Sequence, residues 1–509
     1  MRGRTKLPLV IAPGGVDELS NVTAIPPGKL LASSNFVTRN GVGRPRPGYA
    51  AMGSAVAAAD RIIGFGSRGS ASTESNDVVH TLTAAYNWTG STWSAITGTW
   101  TASAVDEPVR FAQYIQSGVL WLLRINPQNA VNHWTGAGSF AVTAGSPPTG
   151  RDITVTNGRA LVARAGGNVY RYQWSGFNDV TSWPAGNTND LSETPDEAVG
   201  CRAFGPLSAA CYKEDSVWLA TAQSAAAAFQ FQLIANVPGP VSPSAIIPYR
   251  GVHYWLAKDN AIYRFDGSRV DAVGQSLATT MANTFDWPNR MRTHGFVLPT
   301  TEGELWFVYP LAGDATNTRA ISFNLTTGAM TPHTLAHGIT ASNEGAGIPA
   351  LTWDSLTGTW DGLGGSYATW DAMGSVATRV ALIGDVNGNI YRFNSGATDA
   401  GTAIPWAFTH GWRAPTGADK RFYFDGIESY WAKTTAALTV TVGITVTNDL
   451  SDSDSEVTGT FDISTASNHL TTLVDTRGTW LKIRHAASSA TTDTEHRGAQ
   501  VNVWEQSMR

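Results

Sequence analysis

The chain has 509 residues, 42% of them hydrophobic, which is enough for about two to four domains with cores of their own. Its net charge of −5 is unremarkable, its two cysteines argue against a disulfide-rich secreted protein, and no apolar run reaches the ~18 residues that a membrane span needs. Thr, Ser, Gly and aromatic residues are abundant, whereas Leu, Glu and Lys are sparse, which predicts an all-β protein with tight turns. We expect assembly in a cytoplasm, with Cys201 and Cys211 as small buried residues.

Residues 1–54 are rich in Pro and Gly, which predicts an extended N-terminal arm with turns at Pro26–Gly28 and Pro45–Gly48. Residues 1–50 carry seven Lys and Arg against two acidic residues, a local charge of +5. A basic arm on an acidic body suggests a segment that docks on another protein, although an arm can also be basic by chance. The candidate docking residues are Arg2, Arg4, Lys6, Arg39, Arg44 and Arg46.

A short hairpin pattern recurs through residues 55–400. It reads GGNVYRYQWSG at 166–176, DNAIYRFDGS at 259–268 and NGNIYRFNSG at 387–396, with weaker copies elsewhere. The copies are spaced 37 to 68 residues apart, mostly near the ~40–50 residue period of a β-propeller blade. Their marker residues are Tyr86, His133, Tyr170, Trp218, Tyr263, Phe323 and Tyr391.

These repeats predict a β-propeller of six to eight blades, with seven as the best value. Two inserts explain the longest spacings: a helical one near 276–292, with apolar residues four apart, and a Trp-Asp-rich one at 352–373. Residues 401–509 alternate apolar and polar positions, as in TVTVGITVT, and predict a C-terminal antiparallel β-sandwich. The alternative for 55–400 is a set of β-sandwiches that share generic hairpin chemistry.

No motif for catalysis survives inspection. Gly64–Gly69 matches G-x-G-x-x-G, but the following ASTESND cannot open an amphipathic helix. His333 and His337 are interpreted as loop histidines, and Asp385 as part of a turn, because the Glu that would close a calcium loop is missing. We therefore expect a protein that is not an enzyme and that has no metal and no cofactor.

The N-terminal segment resembles the start of phage tail proteins. The matching positions are Pro27-Gly28, Asn35, Gly41 and Arg46-Pro47-Gly48. Together with the NGNIYRF repeats, the Trp-Asp insert and the C-terminal sandwich, the chain is similar in order to tail nozzle proteins of short-tailed bacteriophages, the tail tubular protein B type. The resemblance implies a structural virion protein of the tail, assembled in the host cytoplasm.

The resemblance also implies partners. Six copies of the chain would form a homohexamer below the portal and adaptor ring, which supports the tail fibres and forms the channel for DNA ejection. DNA should pass without specific binding, and an acidic body fits that need because phosphate contacts by Lys and Arg would retain DNA. The candidate channel-lining residues belong to one acidic loop: Asp449, Asp452, Asp454 and Glu456.

Two other functions remain open. A carbohydrate-binding adhesin or tail-fibre module would use exposed Trp side chains as stacking platforms, whereas a structural nozzle would bury them between blades. A secreted β-propeller hydrolase is the other alternative, and the two cysteines and the lack of a signal-peptide pattern weigh against it.

Overall fold

A computed structural model describes the chain except for residues 1–4, 10–13, 27, 57–59, 71–72, 105–106, 224–228, 299, 301, 315, 345–380, 415–420, 449–455, 492–493 and 506–509. The described part is almost entirely β-structure, as predicted. The chain begins with five short strands: β1 (Thr5–Leu9), β2 (Leu30–Ser34), β3 (Phe36–Arg39), β4 (Val42–Pro45) and β5 (Tyr49–Ala51).

Six antiparallel blades follow, each with four strands in sequential order, and a seventh blade completes the propeller. Blades 1 to 3 contain β6 (Ile62–Ser70), β7 (Thr73–Thr81), β8 (Ala85–Trp88), β9 (Trp93–Ile96); β10 (Arg110–Gln116), β11 (Val119–Ile125), β12 (Asn132–Trp134), β13 (Ala141–Val142); β14 (Asp152–Thr156), β15 (Arg159–Ala163), β16 (Arg171–Trp174) and β17 (Thr188–Asp190). Blades 4 to 6 contain β18 (Ala198–Ala203), β19 (Ser208–Lys213), β20 (Val217–Ala222), β21 (Phe229–Ala235); β22 (Ile246–Tyr249), β23 (Val252–Leu256), β24 (Ile262–Phe265), β25 (Val270–Gly274); β26 (His294–Leu298), β27 (Glu304–Tyr309), β28 (Arg319–Asn324) and β29 (Met330–Thr334).

Blade 7 draws its strands from both ends of the propeller segment. It consists of β30 (Ile339–Glu344), β31 (Ala381–Asp385), β32 (Ile390–Phe393) and the N-terminal strand β5. Strand β5 pairs antiparallel with β32, so that Tyr49 lies opposite Phe393. Neighbouring blades contact each other through their first strands, or, between blades 4 and 5, through β18 and the single turn Pro243–Ala245 that precedes β22. Strand β30 contacts β6, which closes the ring. The described strands therefore form a seven-bladed propeller, in agreement with the predicted fold and blade number.

The hairpin signals in the sequence mark the blades correctly. Six of the seven marker residues lie in the third strand of successive blades, and Tyr170 directly precedes the third strand of blade 3. Two-residue turns with positive φ at both positions join the first two strands of blades 2, 3 and 5, as at Asn157-Gly158. Such turns match the right-handed twist of paired strands, so short local patterns set each hairpin.

Two short strands, β33 (Thr398–Asp399) and β34 (Thr402–Ala403), extend blade 7. The strands after them build a β-sandwich: β35 (Trp406–His410), β36 (Phe422–Trp431), β37 (Thr439–Thr447), β38 (Val457–Asp462), β39 (Asn468–Gly478), β40 (Trp480–Ala487) and β41 (His496–Glu505). One sheet has the order β3-β4-β41-β36-β39 with β1 beside β41, and the other has the order β2-β35-β40-β37-β38. Phe424, Val442, Ile483 and Val501 fill the core of the sandwich.

The prediction of a separate extended arm over residues 1–54 is wrong for most of the residues that the structure describes there. Strand β1 pairs with β41, β2 with β35, β3 with β4, and β5 with β32, so the segment completes sheets of its own chain. These short strands carry backbone donors and acceptors that need partners, and the edges of the two sandwich sheets and blade 7 supply them.

Two inserts were predicted within the propeller. The helical one is confirmed by α1 (Ala278–Thr284), whose Met281 is buried, and by the single turn Arg290–Arg292. The Trp-Asp-rich insert at 352–373 lies outside the described residues. Within the described ranges, no helix is long and apolar enough to cross a membrane.

Candidate functional site: a cationic recess on the propeller axis

A recess opens where the innermost strands of the propeller begin. Residues from blades 1, 2, 5, 6 and 7 line it, which places it on the propeller axis. It contains about 420 Å³ of space that protein atoms do not occupy, including solvent at its mouth. We call it the axial recess, and its polar wall includes Arg61, Arg110, Ser244, Arg292, His294 and Ser342.

Two arginines share one buried carboxylate beside the axial recess. Arg110 Nε donates to Asp152 Oδ1 at 3.0 Å, and Arg202 donates to Asp152 Oδ2. The backbone N–H of Cys201 also donates to Oδ2, at 2.9 Å. Asp152 is fully buried, so its negative charge is held between two guanidinium groups of blades 2 and 4.

The electrostatic balance at this point is positive. Burial and, after it, repulsion from Arg202 lower the pKa of Arg110 to about 10, although Asp152 acts in the opposite direction. At neutral pH Arg110 remains charged, because this pKa is still well above 7. Arg61, with 9% of its surface exposed, lies in the same wall and adds another cation.

The opposite wall carries a neutral histidine. Burial lowers the pKa of His294 to about 4, and Arg61 acts in the same direction. Its Nε2 faces the carbonyl oxygen of Ile339 at 3.3 Å, and its Nδ1 faces the hydroxyl of Ser342 at 2.7 Å. A carbonyl can only accept, so we assign the ring proton to Nε2.

This arrangement is suited to binding an anion. Arginine stays protonated and cannot serve as a general base at neutral pH. Within the part of the chain that the structure describes, no three His, Cys, Asp or Glu residues are grouped so that they could hold a metal ion.

The predicted docking residues serve contacts within the chain where they are described. Arg39 donates Nη2 to Glu304 Oε2 at 2.7 Å, and Arg44 donates to Glu495 at 2.8 Å. Lys6 is half exposed and lies 3.4 Å from Glu428. Arg2 and Arg4 lie outside the described residues. The docking prediction therefore needs correction for Arg39 and Arg44, whose charges are matched by their own chain.

Arg46 is the clearest correction to the docking prediction. Its side chain is buried and donates to both carboxylate oxygens of Asp399, at 2.8 and 2.5 Å. It also donates to the side chain of Asn35 at 2.9 Å and to the backbone oxygen of Thr334 at 2.8 Å. The composition of the segment predicted an exposed docking residue, whereas in the fold Arg46 forms a buried ion pair within the chain.

The acidic loop is only partly described. Glu456 is exposed, and Arg484 Nη1 lies 3.8 Å from its Oε2. Asp449, Asp452 and Asp454 lie outside the described residues. A role of this loop as a channel wall stays a prediction.

The glycine-rich, calcium-loop-like and histidine patterns noted in the sequence lie in strands or turns rather than in binding sites. Gly64 and Gly66 belong to strand β6, not to a loop before a helix. Asp385 accepts the backbone N–H groups of Asn387 and Asn389 at 2.9 and 2.8 Å, which confirms a turn. His333 lies buried in strand β29, so its interpretation as a loop residue was wrong.

Sequence reasoning did not find the axial recess. Its residues come from different repeats, far apart in the chain, and they match no motif. One signal was present: an arginine stands at or next to the start of the innermost strand in three successive blades, as Arg61, Arg110 and Arg151. An alignment of the repeats by strand would have revealed it.

No protein-family model and no curated protein matches this chain. Solved structures with a similar arrangement include the computationally designed Ika8 protein, at 12% identity and a TM-score of 0.39 over 68% of this chain and 99% of that one. YCF48 bound to D1 peptide has 12% identity and a TM-score of 0.38 over 68% and 97%. BamB from Moraxella catarrhalis has 8% identity and a TM-score of 0.32 over 62% and 91%. These likenesses concern the fold alone. The strand order itself shows that the chain is a β-propeller with a β-sandwich attached.

Proposed function

We propose that this chain is a structural tail protein of a short-tailed bacteriophage, a nozzle subunit that surrounds the path of DNA ejection. The proposal is carried by the position of the N-terminal residues that resemble phage tail proteins. Asn35, Arg46 and Gly48 meet at one buried joint between the sandwich and the propeller. The structural neighbours, which share only the fold, neither favour nor oppose the proposal.

The joint ties three parts of the chain together. Asn35, with a φ of +53°, donates to the backbone oxygen of Pro405 at 2.8 Å and accepts the N–H of Thr334 at 2.9 Å. Arg46 links the same asparagine to Asp399. At Gly48, a Cβ atom would lie 2.1 Å from the backbone oxygen of Thr398, so only glycine fits. Such a joint suits a component that must transmit load without moving.

An apolar interface strengthens the joint. Phe36 and Trp406 of the sandwich share one core with Leu256 of blade 5 and Phe307 of blade 6. Burial of apolar surface stabilises such a contact by roughly 25 cal/mol per Å². The sandwich and the propeller are therefore expected to move as one body, which a subunit of a conduit requires.

The placement of tryptophan supports a structural function over a sugar-binding one. Among the tryptophans that the structure describes, only Trp287 is exposed, at 42%, whereas Trp255, Trp306 and Trp406 are fully buried. A carbohydrate-binding adhesin would present several aromatic faces to solvent.

A DNA channel would have to lie between subunits. The axial recess is too small to pass DNA, because its roughly 420 Å³ of unoccupied space already includes the solvent at its mouth, and Arg110, Asp152 and Arg202 lie beside it. We therefore place the conduit on the axis of a ring of six chains. Their formal charge of about −30 (6 × −5) would limit adhesion of phosphate.

Exposed apolar side chains offer contacts for such a ring. Ile115 and Val119 flank the first hairpin turn of blade 2, and Leu207 lies in the corresponding turn of blade 4. In a propeller these turns lie at one end. Single exposed apolar residues are common, but several at one end mark a candidate contact between subunits.

The test is to count copies in assembled tails. The chain would be tagged in the phage that encodes it, and tails with and without the tag would be compared by electron microscopy and image reconstruction. We expect six copies around the DNA channel. A tag absent from the tail, a count other than six, or a channel lined mainly by Arg and Lys would overturn the proposal.

A second measurement tests the contact surface. Ile115→Lys with Leu207→Lys should reduce incorporation into tails while the isolated chain stays folded by circular dichroism. The matched control is Val142→Lys, because Val142 is also exposed, at 58%, but lies on the outermost strand of its blade. Equal incorporation of both variants would exclude the hairpin ends as the contact.

A further inference from the structure

The two cysteines of the chain face each other inside blade 4. Cys201 in strand β18 lies directly opposite Cys211 in the neighbouring strand β19. Both side chains are fully buried in the core between blades 3 and 4, where the Cys201 thiol donates to the backbone oxygen of Leu161 at 3.5 Å. Both thiols are free in this structure, and the sequence has no other cysteine. Any disulfide bond within the chain must therefore join these two residues.

The backbone shows which kind of cross-strand pair the cysteines form. The N–H of Cys201 donates to Asp152 Oδ2 at 2.9 Å, away from strand β19. Two residues further along β18, the N–H of Ala203 likewise donates to a side chain, the hydroxyl of Thr154 at 2.9 Å. Alternate residues of β18 thus turn their N–H groups away from β19. Cys201 and Cys211 are therefore a non-hydrogen-bonded pair of the antiparallel ladder, the type in which opposite side chains are closest.

A pair of this type has the spacing that a disulfide bond needs. Its opposite Cα atoms lie about 4.5 Å apart, and cysteines joined by a disulfide bond have Cα atoms roughly 4.4–6.8 Å apart. Directly opposite side chains also stand on the same face of the sheet. We propose that Cys201 and Cys211 form a reversible disulfide bond across β18 and β19 when the chain meets a small-molecule disulfide such as oxidised glutathione.

The reaction is a two-step exchange in which the small disulfide is the oxidant. The thiolate of one cysteine attacks a sulfur atom of the small disulfide, forms a mixed disulfide and releases one small thiolate. The second cysteine then attacks the protein sulfur of the mixed disulfide, which closes the bond and releases the other small thiolate. The protein loses two electrons and two protons, and the small disulfide takes them up to become two thiol molecules.

Burial controls when this reaction can occur. It raises the pKa of both thiols, so neither is a thiolate at neutral pH while the blade is closed. Exchange therefore takes place as the chain folds or when the β18–β19 hairpin opens locally. A cytoplasm keeps thiols reduced, whereas disulfides persist outside cells and on virion surfaces. The bond does not depend on the tail function, but a protein of a released virion would meet both conditions in turn.

The test compares the stability of the bond in the folded and the unfolded chain. The whole purified chain is equilibrated in buffers of reduced (GSH) and oxidised (GSSG) glutathione, once in concentrated urea and once after refolding by dilution. Acid then traps the thiols, and mass spectrometry after alkylation counts them. We expect half-reduction of the folded chain to need a buffer roughly tenfold or more reducing, in [GSH]²/[GSSG], because the fold holds the two sulfur atoms together. The bridged chain should also have a higher Tm than the reduced chain.

A shifted thiol serves as the matched control. The variant Cys211→Ala with Ala210→Cys moves one thiol to the position opposite Arg202, on the other face of the strand. It can form the bond in urea, but folding should now oppose the bond, so the folded chain should be the easier one to reduce. The proposal fails if the variant behaves like the wild type, or if the wild-type bond is no harder to reduce in the folded chain. It also fails if the bridged chain lacks native near-UV circular dichroism or if linked dimers form instead. Should the shifted variant not fold, the wild-type measurements still decide the proposal.

Discussion

The ion pair between Arg46 and Asp399 should hold the sandwich on the propeller. Arg46 exposes 2% of its surface and Asp399 1%. Replacing Arg46 by Met would leave the Asp399 carboxylate buried, with the N–H of Ala336 at 3.0 Å as a remaining donor. Breaking a buried pair on one side costs about 3–5 kcal/mol. We expect a loss of that size in the free energy of unfolding for Arg46→Met.

The double variant Arg46→Met with Asp399→Leu should recover much of this loss. It removes both buried charges, and apolar replacements of whole pairs are often close to neutral. The cycle of both single variants and the double variant gives the coupling energy of the pair directly. Guanidinium unfolding followed by tryptophan fluorescence measures it, and a change in slope would show that the two bodies unfold separately.

The matched control is Arg264→Met, which breaks an ion pair with Asp271 at 3.0 Å in blade 5. Both of its partners are about a third exposed, so water screens the pair and the expected loss is only about 0.2–1 kcal/mol. A loss for Arg46→Met no larger than that of the control would refute the view that the buried pair secures the joint.

Three further predictions concern the pH dependence of stability, the fit of Gly48 and the absence of hydrolase activity. His410, His485 and His496 lie together in the sandwich, and burial lowers their pKa values, to about 4 for His410 and about 3 for His496. In the unfolded chain these histidines bind protons below their ordinary pKa of about 6.5, whereas the folded chain keeps them neutral. The free energy of unfolding should therefore be highest above pH 6.5 and fall below it, by at most about 1.4 kcal/mol per histidine and pH unit. A midpoint of urea unfolding unchanged between pH 7.5 and 5.5 would contradict this. Gly48→Ala should lower Tm by several degrees because its Cβ would clash with Thr398, whereas Gly41→Ala meets no atom within 4 Å and is strained only by its φ of +74°, so an equal effect of both would argue against the clash. The isolated chain should hydrolyse neither nucleotides nor host polysaccharide, and release of reducing sugar that depends on one carboxylate would contradict that.

Local patterns in the sequence determined the blades. Many hairpins depend on residues that are close in sequence, such as Asn157-Gly158 and the Ile-Tyr-Arg-Phe strands of blades 5 and 7. Turn chemistry and period-two alternation operate over the same distance. The all-β fold, the seven repeats, the helical insert and the C-terminal sandwich could therefore be predicted from the sequence.

Only the tertiary structure decided what the N-terminal segment does and where the site lies. Strand β5 pairs with β32 across more than 330 residues, and Arg46 meets Asp399 across 353. A basic composition gives the charge of a segment but not the burial of its side chains, so the sequence allows Arg46 to be either an exposed cation or one member of a buried ion pair. The axial recess gathers Arg61, Arg110 and His294 from three blades, and only closure of the ring brings their side chains to one point.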